Sequence, residues 1–161
     1  MVVVLMGVSG SGKTTVGQLL AADLHWEFHD GDALHSAANR ARMSRGIPLT
    51  DAQRMPWLRR VRRLIDRCLA RGTAAVIACS ALKQAYRNVI VSDPALVQIV
   101  YLKGSQKLIA QRLANRKNHF MPPALLQSQF DALEEPRDAA VIDISGPPRD
   151  IVDTIRAKLG I

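Results

Sequence analysis

Apolar positions in this chain follow two rhythms that alternate along its length. The apolar runs at 2–6 and 74–79 are unbroken, and those at 97–102 and 141–144 are interrupted only by Gln98 and Asp143; all have strand length. Strands covered on both sides look like this. A short run at 26–29 leads into Asp30-Gly31-Asp32 and reads as a further strand. Between these runs, apolar residues recur at helical spacing over 12–24, about 33–44, 50–71, 82–92, 105–117 and 149–159. Residues 125–133 allow one more short helix. Thr50 followed by Gln53 is a capping-box signature for the longest helix, and Pro56 should kink that helix or mark its first turn. Short buried strands alternating with helices predict an α/β fold: a parallel sheet between two helical layers.

One stretch breaks the alternation. Arg116-Lys117-Asn118-His119-Phe120-Met121 is basic and ends in Pro122-Pro123. An excursion of this length between sheet elements is a lid or an irregular surface loop. Arginines at its entrance favour a lid, placed at 117–135.

Length and composition narrow the picture further. With 161 residues, 48% hydrophobic and 22% charged, the chain is expected to form a single domain over 1–161, with no disordered tract. The cysteines, Cys68 and Cys79, show no metal-type spacing and suit a reducing compartment. No basic leader precedes the first apolar run, which is too short to cross a membrane. A cytoplasmic protein without a membrane partner is the expectation.

The net charge of +8 suits anionic partners such as nucleotide triphosphates, acidic metabolites or nucleic acid. Much of it sits between Arg59 and Arg71. On a helix Arg60, Arg63, Arg67 and Arg71 share one face, and Leu58, Val61, Ile65, Cys68 and Leu69 the opposite one. A solvated face explains this better than an RNA patch, and 4% aromatic residues leave few stacking platforms. No nucleic-acid partner is expected.

Gly7-Val8-Ser9-Gly10-Ser11-Gly12-Lys13-Thr14 fits G-x-x-x-x-G-K-[ST] and lies between a strand and a helix, the context a phosphate loop requires. Glycines let backbone N–H groups curl around phosphate oxygens, and the helix N-terminus adds partial positive charge. Lys13 reaches the β- and γ-phosphates, and Thr14 can place its hydroxyl on Mg²⁺. Gly7 to Thr14, with Thr15, form the candidate ATP-binding set.

A phosphate loop alone names no reaction. No strand ends in the usual Walker-B carboxylate, because the 74–79 run leads into Cys79-Ser80. Asp30-Gly31-Asp32 instead falls at a strand's carboxyl end, where parallel sheets bind ligands. Asp32 there is a general base, a metal partner, a helix cap, or a combination of these. Asp30 is a substrate contact or a turn residue, and His35 a substrate contact or a solvated helix residue. Arg112 and Arg116, four apart on one helical face, can neutralise transition-state charge or be ordinary surface charge. Lys83 and Arg87 follow the 74–79 strand and contact substrate or merely begin a helix.

Several blocks resemble the gluconokinase family of P-loop small-molecule kinases. They are Gly7 to Thr14, Asp30-Gly31-Asp32-Ala33-Leu34-His35 with Asn39 and Met43, the 46–58 stretch ending Pro56-Trp57-Leu58, and Cys79-Ser80-Ala81-Leu82-Lys83 with Tyr86-Arg87. Tyr101-Leu102-Lys103-Gly104, Arg112-Leu113 with Arg116, His119-Phe120, and Gln127-Ser128-Gln129-Phe130 with Leu133-Glu134 complete a match over nearly the whole chain. The chain departs from the family pattern at Ser36 for proline, Arg42 for lysine, Ala52-Gln53 for acidic residues, Asn88 for aspartate and Asn118 for glycine. Asn118 matters most, since glycine would loosen the lid. The resemblance implies a nucleoside-monophosphate-kinase-like fold with a five-stranded parallel sheet and a mobile lid, often as a homodimer. It implies ATP- and Mg²⁺-dependent phosphorylation of the 6-hydroxyl of D-gluconate. Lys13, Asp32, Arg112 and Arg116 are then catalytic, and Thr14 and Asp32 hold the metal. Asp30, Asp32, His35, Arg54, Lys83 and Arg87 are then the substrate set, with Arg54 or Lys83 on the carboxylate. A shikimate kinase of the same fold is the nearest alternative.

Overall fold

β1 (Val2–Met6) is the axis of the molecule. Both faces of this strand are fully buried, and its residues divide by parity. Val3 and Leu5 point into one apolar cluster, and Val2, Val4 and Met6 into the other. That is why its sequence is one unbroken apolar run. The computed structural model describes residues 1–115 and 123–161.

Around β1 lie β2 (Glu27–Asp30), β3 (Ala75–Ala78), β4 (Val97–Lys103) and β5 (Ala140–Asp143), in the order β2-β3-β1-β4-β5. Every pairing is parallel. The helices are α1 (Lys13–Leu24), α2 (Ala37–Ser44), α3 (Asp51–Ala70), α4 (Gln84–Ile90), α5 (Gln106–Ala114), α6 (Pro123–Ala132) and α7 (Pro148–Leu159). One layer is built from α1, α5 and α7, whose Leu20, Ile109 and Ile155 pack against Val3 and Leu5. The other is built from α3 and α4, whose Trp57, Leu58, Ile65 and Ile90 pack against Val2, Val4 and Met6. The expected three-layer fold with five parallel strands is present.

Two local expectations resolve in physical detail. The capping box at Thr50 forms, its hydroxyl accepting from Gln53 N–H while the Gln53 side chain accepts from Thr50 N–H. Pro56 lies inside α3 without ending it. Ala52, whose carbonyl loses its helical partner there, is exposed, so water can satisfy it. A correction falls at 33–44. A 3-10 turn at Gly31–Leu34 and α2 are separate, because His35 is extended and the Ser36 hydroxyl caps α2 by accepting from Asn39 N–H at 3.1 Å.

On α3, the expected arginine face is exposed, with Arg60 donating to Leu34 O at 3.0 Å. Arg62, between the two faces, is tied to Asp66 at 2.8 Å. Among the described residues no helix is long and apolar enough to cross a membrane.

Candidate active site

The phosphate loop, the Asp30-Gly31-Asp32 turn and the turn after β3 meet at the carboxyl end of the sheet. Gly12 caps α1 with φ 92°, a conformation that glycine adopts without the Cβ clash other residues meet. Lys13 Nζ donates to Gly7 O at 3.0 Å and Val8 O at 2.9 Å, so its charge is held over the loop. Gly7 N–H in turn donates to Ser80 O at 3.3 Å, tying the loop to the end of β3.

Gly31 explains how two aspartates straddle this end. A Cβ there would lie 2.5 Å from Ala78 O, so only glycine lets the turn run against β3. Trp57 Nε1 donates to Gly31 O at 2.7 Å and fixes the turn from α3. Asp30 Oδ1 then accepts from Asp32 N–H at 3.0 Å, and Asp30 Oδ2 accepts from the Thr14 hydroxyl at 3.4 Å. Asp30 therefore places a carboxylate against Thr14. Two hard oxygen donors of this kind suit Mg²⁺. Asp32 is exposed in the same turn, and its charge, with those of Lys13 and Asp30, is felt at Cys79. Burial, followed by Asp32, pushes that thiol up to about 12, which keeps it a neutral core group.

His35 is not the solvated residue its position allowed. It is 5% exposed and stacks on Trp57 with ring centroids 4.2 Å apart. Burial, then the positive charges of Arg54, Arg40 and Arg60, lower its pKa to about 4, so the ring is neutral at physiological pH. Its Nδ1 is buried and unpartnered among the described residues.

Across from it, α3 and α4 share a polar cluster. Asp51 accepts from Lys83 Nζ at 3.0 and 3.1 Å and from the Tyr86 hydroxyl. The Tyr86 bond, then Lys83, holds the Asp51 carboxyl below its usual range. Lys83 and Arg54 both lie over the Tyr86 ring, at 5.6 and 5.8 Å. Lys83 is thus already paired. Arg54 donates from Nε to Leu49 O at 3.3 Å and makes no ion pair among the described residues.

Arg87 needs a correction, because it does not face the open site. It is 3% exposed and donates to Ala81 O and Leu82 O, both at 3.0 Å, and to Gln84 Oε1 at 2.8 Å. These bonds brace a strained turn, since Ala81 has φ 43°. Arg112 donates to Ile144 O and joins α5 to the end of β5. Arg116 and lid residues 117–122 lie outside the described residues.

Three contributors went unread in the sequence. Asp51 and Tyr86 are two, and Gln129 is the third. Its Oε1, carried on α6, accepts from Ser9 N–H in the phosphate loop at 2.7 Å. Only membership of the Gln127-to-Phe130 block singled it out.

A parallel sheet of order β2-β3-β1-β4-β5 with a phosphate loop between β1 and α1 defines the P-loop kinase class. A family model described as an AAA domain matches residues 2–136. The relatives are more specific, and the chain belongs to the gluconokinase family. It is 47% identical over 152 residues to a probable gluconokinase of Mus musculus, covering 84% of this chain and 83% of that protein. It is 47% identical over 144 residues to a gluconokinase of Gluconobacter oxydans, covering 89% and 81%. The crystal structure of a gluconokinase from Sinorhizobium meliloti superposes with TM-score 0.87 at 42% identity, covering 98% and 90%. Shikimate kinase from Aquifex aeolicus, at 17% identity and TM-score 0.61, shares the fold alone.

Proposed function

We propose that this chain transfers the γ-phosphoryl group of ATP to the 6-hydroxyl of D-gluconate, releasing 6-phosphogluconate and ADP. What supports this reading most is the meeting of the phosphate loop and the Asp30–Asp32 turn beside a cluster whose Arg54 makes no ion pair among the described residues. Lys13 and the loop amides hold the phosphates. Asp32, exposed beside the loop, orients the attacking hydroxyl and accepts its proton. Thr14 and Asp30 would hold Mg²⁺, which would supply charge neutralisation at the phosphate oxygens when bound.

Gluconate carries a carboxylate and five hydroxyls, so it needs a cation and several hydrogen-bonding partners. Arg54 is assigned to the carboxylate, because Asp51 already neutralises Lys83. Lys83 and Tyr86 then hold Arg54's surroundings in place through Asp51. The neutral His35 ring, stacked on Trp57, is assigned to the wall of the substrate site. Arg112 and Arg116 are assigned to the transferring phosphoryl group, and 117–135 to the lid. Lid closure has a physical purpose, because water is itself an acceptor for the γ-phosphate. A cytoplasmic homodimer is the expected form.

ADP release measured with ATP and Mg²⁺ against gluconate, shikimate, other sugar acids and RNA tests this reading. Gluconate-dependent release that vanishes in Lys13→Ala and falls sharply in Asp32→Asn supports it. Release indifferent to every small acid ends it.

A further inference from the structure

Away from the phosphate loop, the edge strand and the longest helix bring together three side chains the kinase reaction does not use. Glu27 and His29 are two apart on β2, so both project from one face of the strand. Phe28, between them, points to the other face and packs toward Gly17 of α1. Cys68 comes from α3 and meets the Glu27–His29 face. His29 Nε2 lies 3.0 Å from Glu27 Oε2 and 4.0 Å from Cys68 Sγ, and one ligating atom from each residue lies within 4.8 Å of the others.

Two of these contacts meet at one atom, His29 Nε2. A neutral imidazole nitrogen carries either a hydrogen or a lone pair, not both. At 3.0 Å from a carboxylate oxygen, Nε2 must carry the hydrogen. Cys68 Sγ, at 4.0 Å, is then only a weak neighbour of that nitrogen, and a metal would bring the two donors into one coordination sphere.

The geometry points to a zinc-class divalent cation site formed by Glu27, His29 and Cys68, with water completing the coordination. Imidazole, thiolate and carboxylate together are the donor set zinc and cobalt(II) take in tetrahedral sites. Metal–donor bonds of about 2.0–2.3 Å place tetrahedral donors about 3.3–3.6 Å apart. The N–O and N–S separations of 3.0 and 4.0 Å straddle that range. The Glu27 side chain, 51% exposed, has room to turn onto the metal, while the 4% exposed Cys68 supplies a donor shielded from solvent. On binding, metal–sulfur, metal–nitrogen and metal–oxygen bonds form. The Cys68 S–H bond breaks and its proton leaves to solvent. The imidazole proton moves from Nε2 to Nδ1, so one proton is released per metal. The site would staple the free edge of the sheet to α3, one residue upstream of Asp30.

The test uses the full chain, stripped of metal, titrated with Co²⁺ and then Zn²⁺. One equivalent of Co²⁺ producing a near-ultraviolet thiolate charge-transfer band, which Zn²⁺ displaces, is expected. Cys68→Ser should abolish the band, and His29→Gln should weaken Zn²⁺ binding at least tenfold. Asp30→Asn should leave the band intact, because the phosphate-loop site contains no sulfur. Should Cys68→Ser not fold, Glu27→Gln and His29→Gln carry the comparison. The absence of a thiolate band, or binding lost in Asp30→Asn but retained in Cys68→Ser, overturns the site. The readout is optical and independent of the kinase assay, so either reading can fail without the other.

Discussion

Gln129 Oε1 accepts from the Ser9 N–H at 2.7 Å, placing a side chain of α6 on a backbone donor of the phosphate loop. The segment after α6 is tied down as well: Glu134 accepts from Gln84 N–H at 2.6 Å, and Glu135 pairs with Lys103 at 2.8 Å. Gln129→Glu preserves the acceptor and adds a negative charge where phosphate must sit. KM for ATP should rise about tenfold or more, corresponding to at least ~1.4 kcal/mol of repulsion. An unchanged KM for ATP would separate this contact from nucleotide binding.

Arg54 and Lys83 should behave differently in steady-state kinetics. Losing a charge-assisted hydrogen bond to a carboxylate costs about 1.5–3 kcal/mol. Arg54→Gln should therefore raise KM for gluconate roughly 10–100-fold while leaving KM for ATP nearly unchanged. Lys83→Met should have a smaller effect, and Asp51→Asn in the same background should recover little. The reverse ranking would assign the carboxylate to Lys83.

The neutral, buried His35 makes stability depend on pH in one direction. Its pKa is about 4 folded against 6.5 for the ordinary group, so only the unfolded chain takes up the proton as pH falls between these values. The contribution is complete above pH 6.5 and drains away as pH drops toward 4. Between pH 7.5 and 5 the loss should be about 2 kcal/mol. His35→Phe keeps a ring on Trp57 but cannot titrate. Urea unfolding at the two pH values should show a flatter response in the variant, and equal slopes would refute the linkage.

Arg87 should matter for folding more than for substrate affinity. Arg87→Met fills similar volume but strands the carbonyls of Ala81 and Leu82, and should destabilise by about 2–4 kcal/mol. Ala81→Gly should be neutral or stabilising by up to about 1 kcal/mol, because φ 43° is strained for alanine. Denaturant midpoints at constant m-value check both. A large rise in KM for gluconate at unchanged stability in Arg87→Met would return Arg87 to the substrate site.

Much of this was legible because the information is local. The phosphate loop and its flanking elements are contiguous, and β1 shows its burial in its own five residues. The capping box at Thr50 and Gln53 spans one helical turn. What stayed illegible depends on contacts between distant segments. Lys83 and Asp51 are 32 positions apart, and Ser9 and Gln129 are 120 apart. No periodicity reveals that α4 and α3 bring an anion to Lys83, or that Arg87 turns inward. Arg87 reads locally as charge in a first helical turn, and only the turn at Ala81 explains its burial. His35 escaped for a related reason: Trp57, 22 positions away on α3, stacks on its ring and buries it.

The parity of β1 has an evolutionary consequence. Five consecutive side chains serve alternately as the floor of two helical layers, and the phosphate cradle hangs directly from the last of them. A change of volume in either layer is therefore transmitted to the nucleotide's anchorage through one short rod. Hardening this protein against heat by repacking under β1 should shift its grip on ATP at the same time, so tolerance and turnover cannot drift independently at these positions.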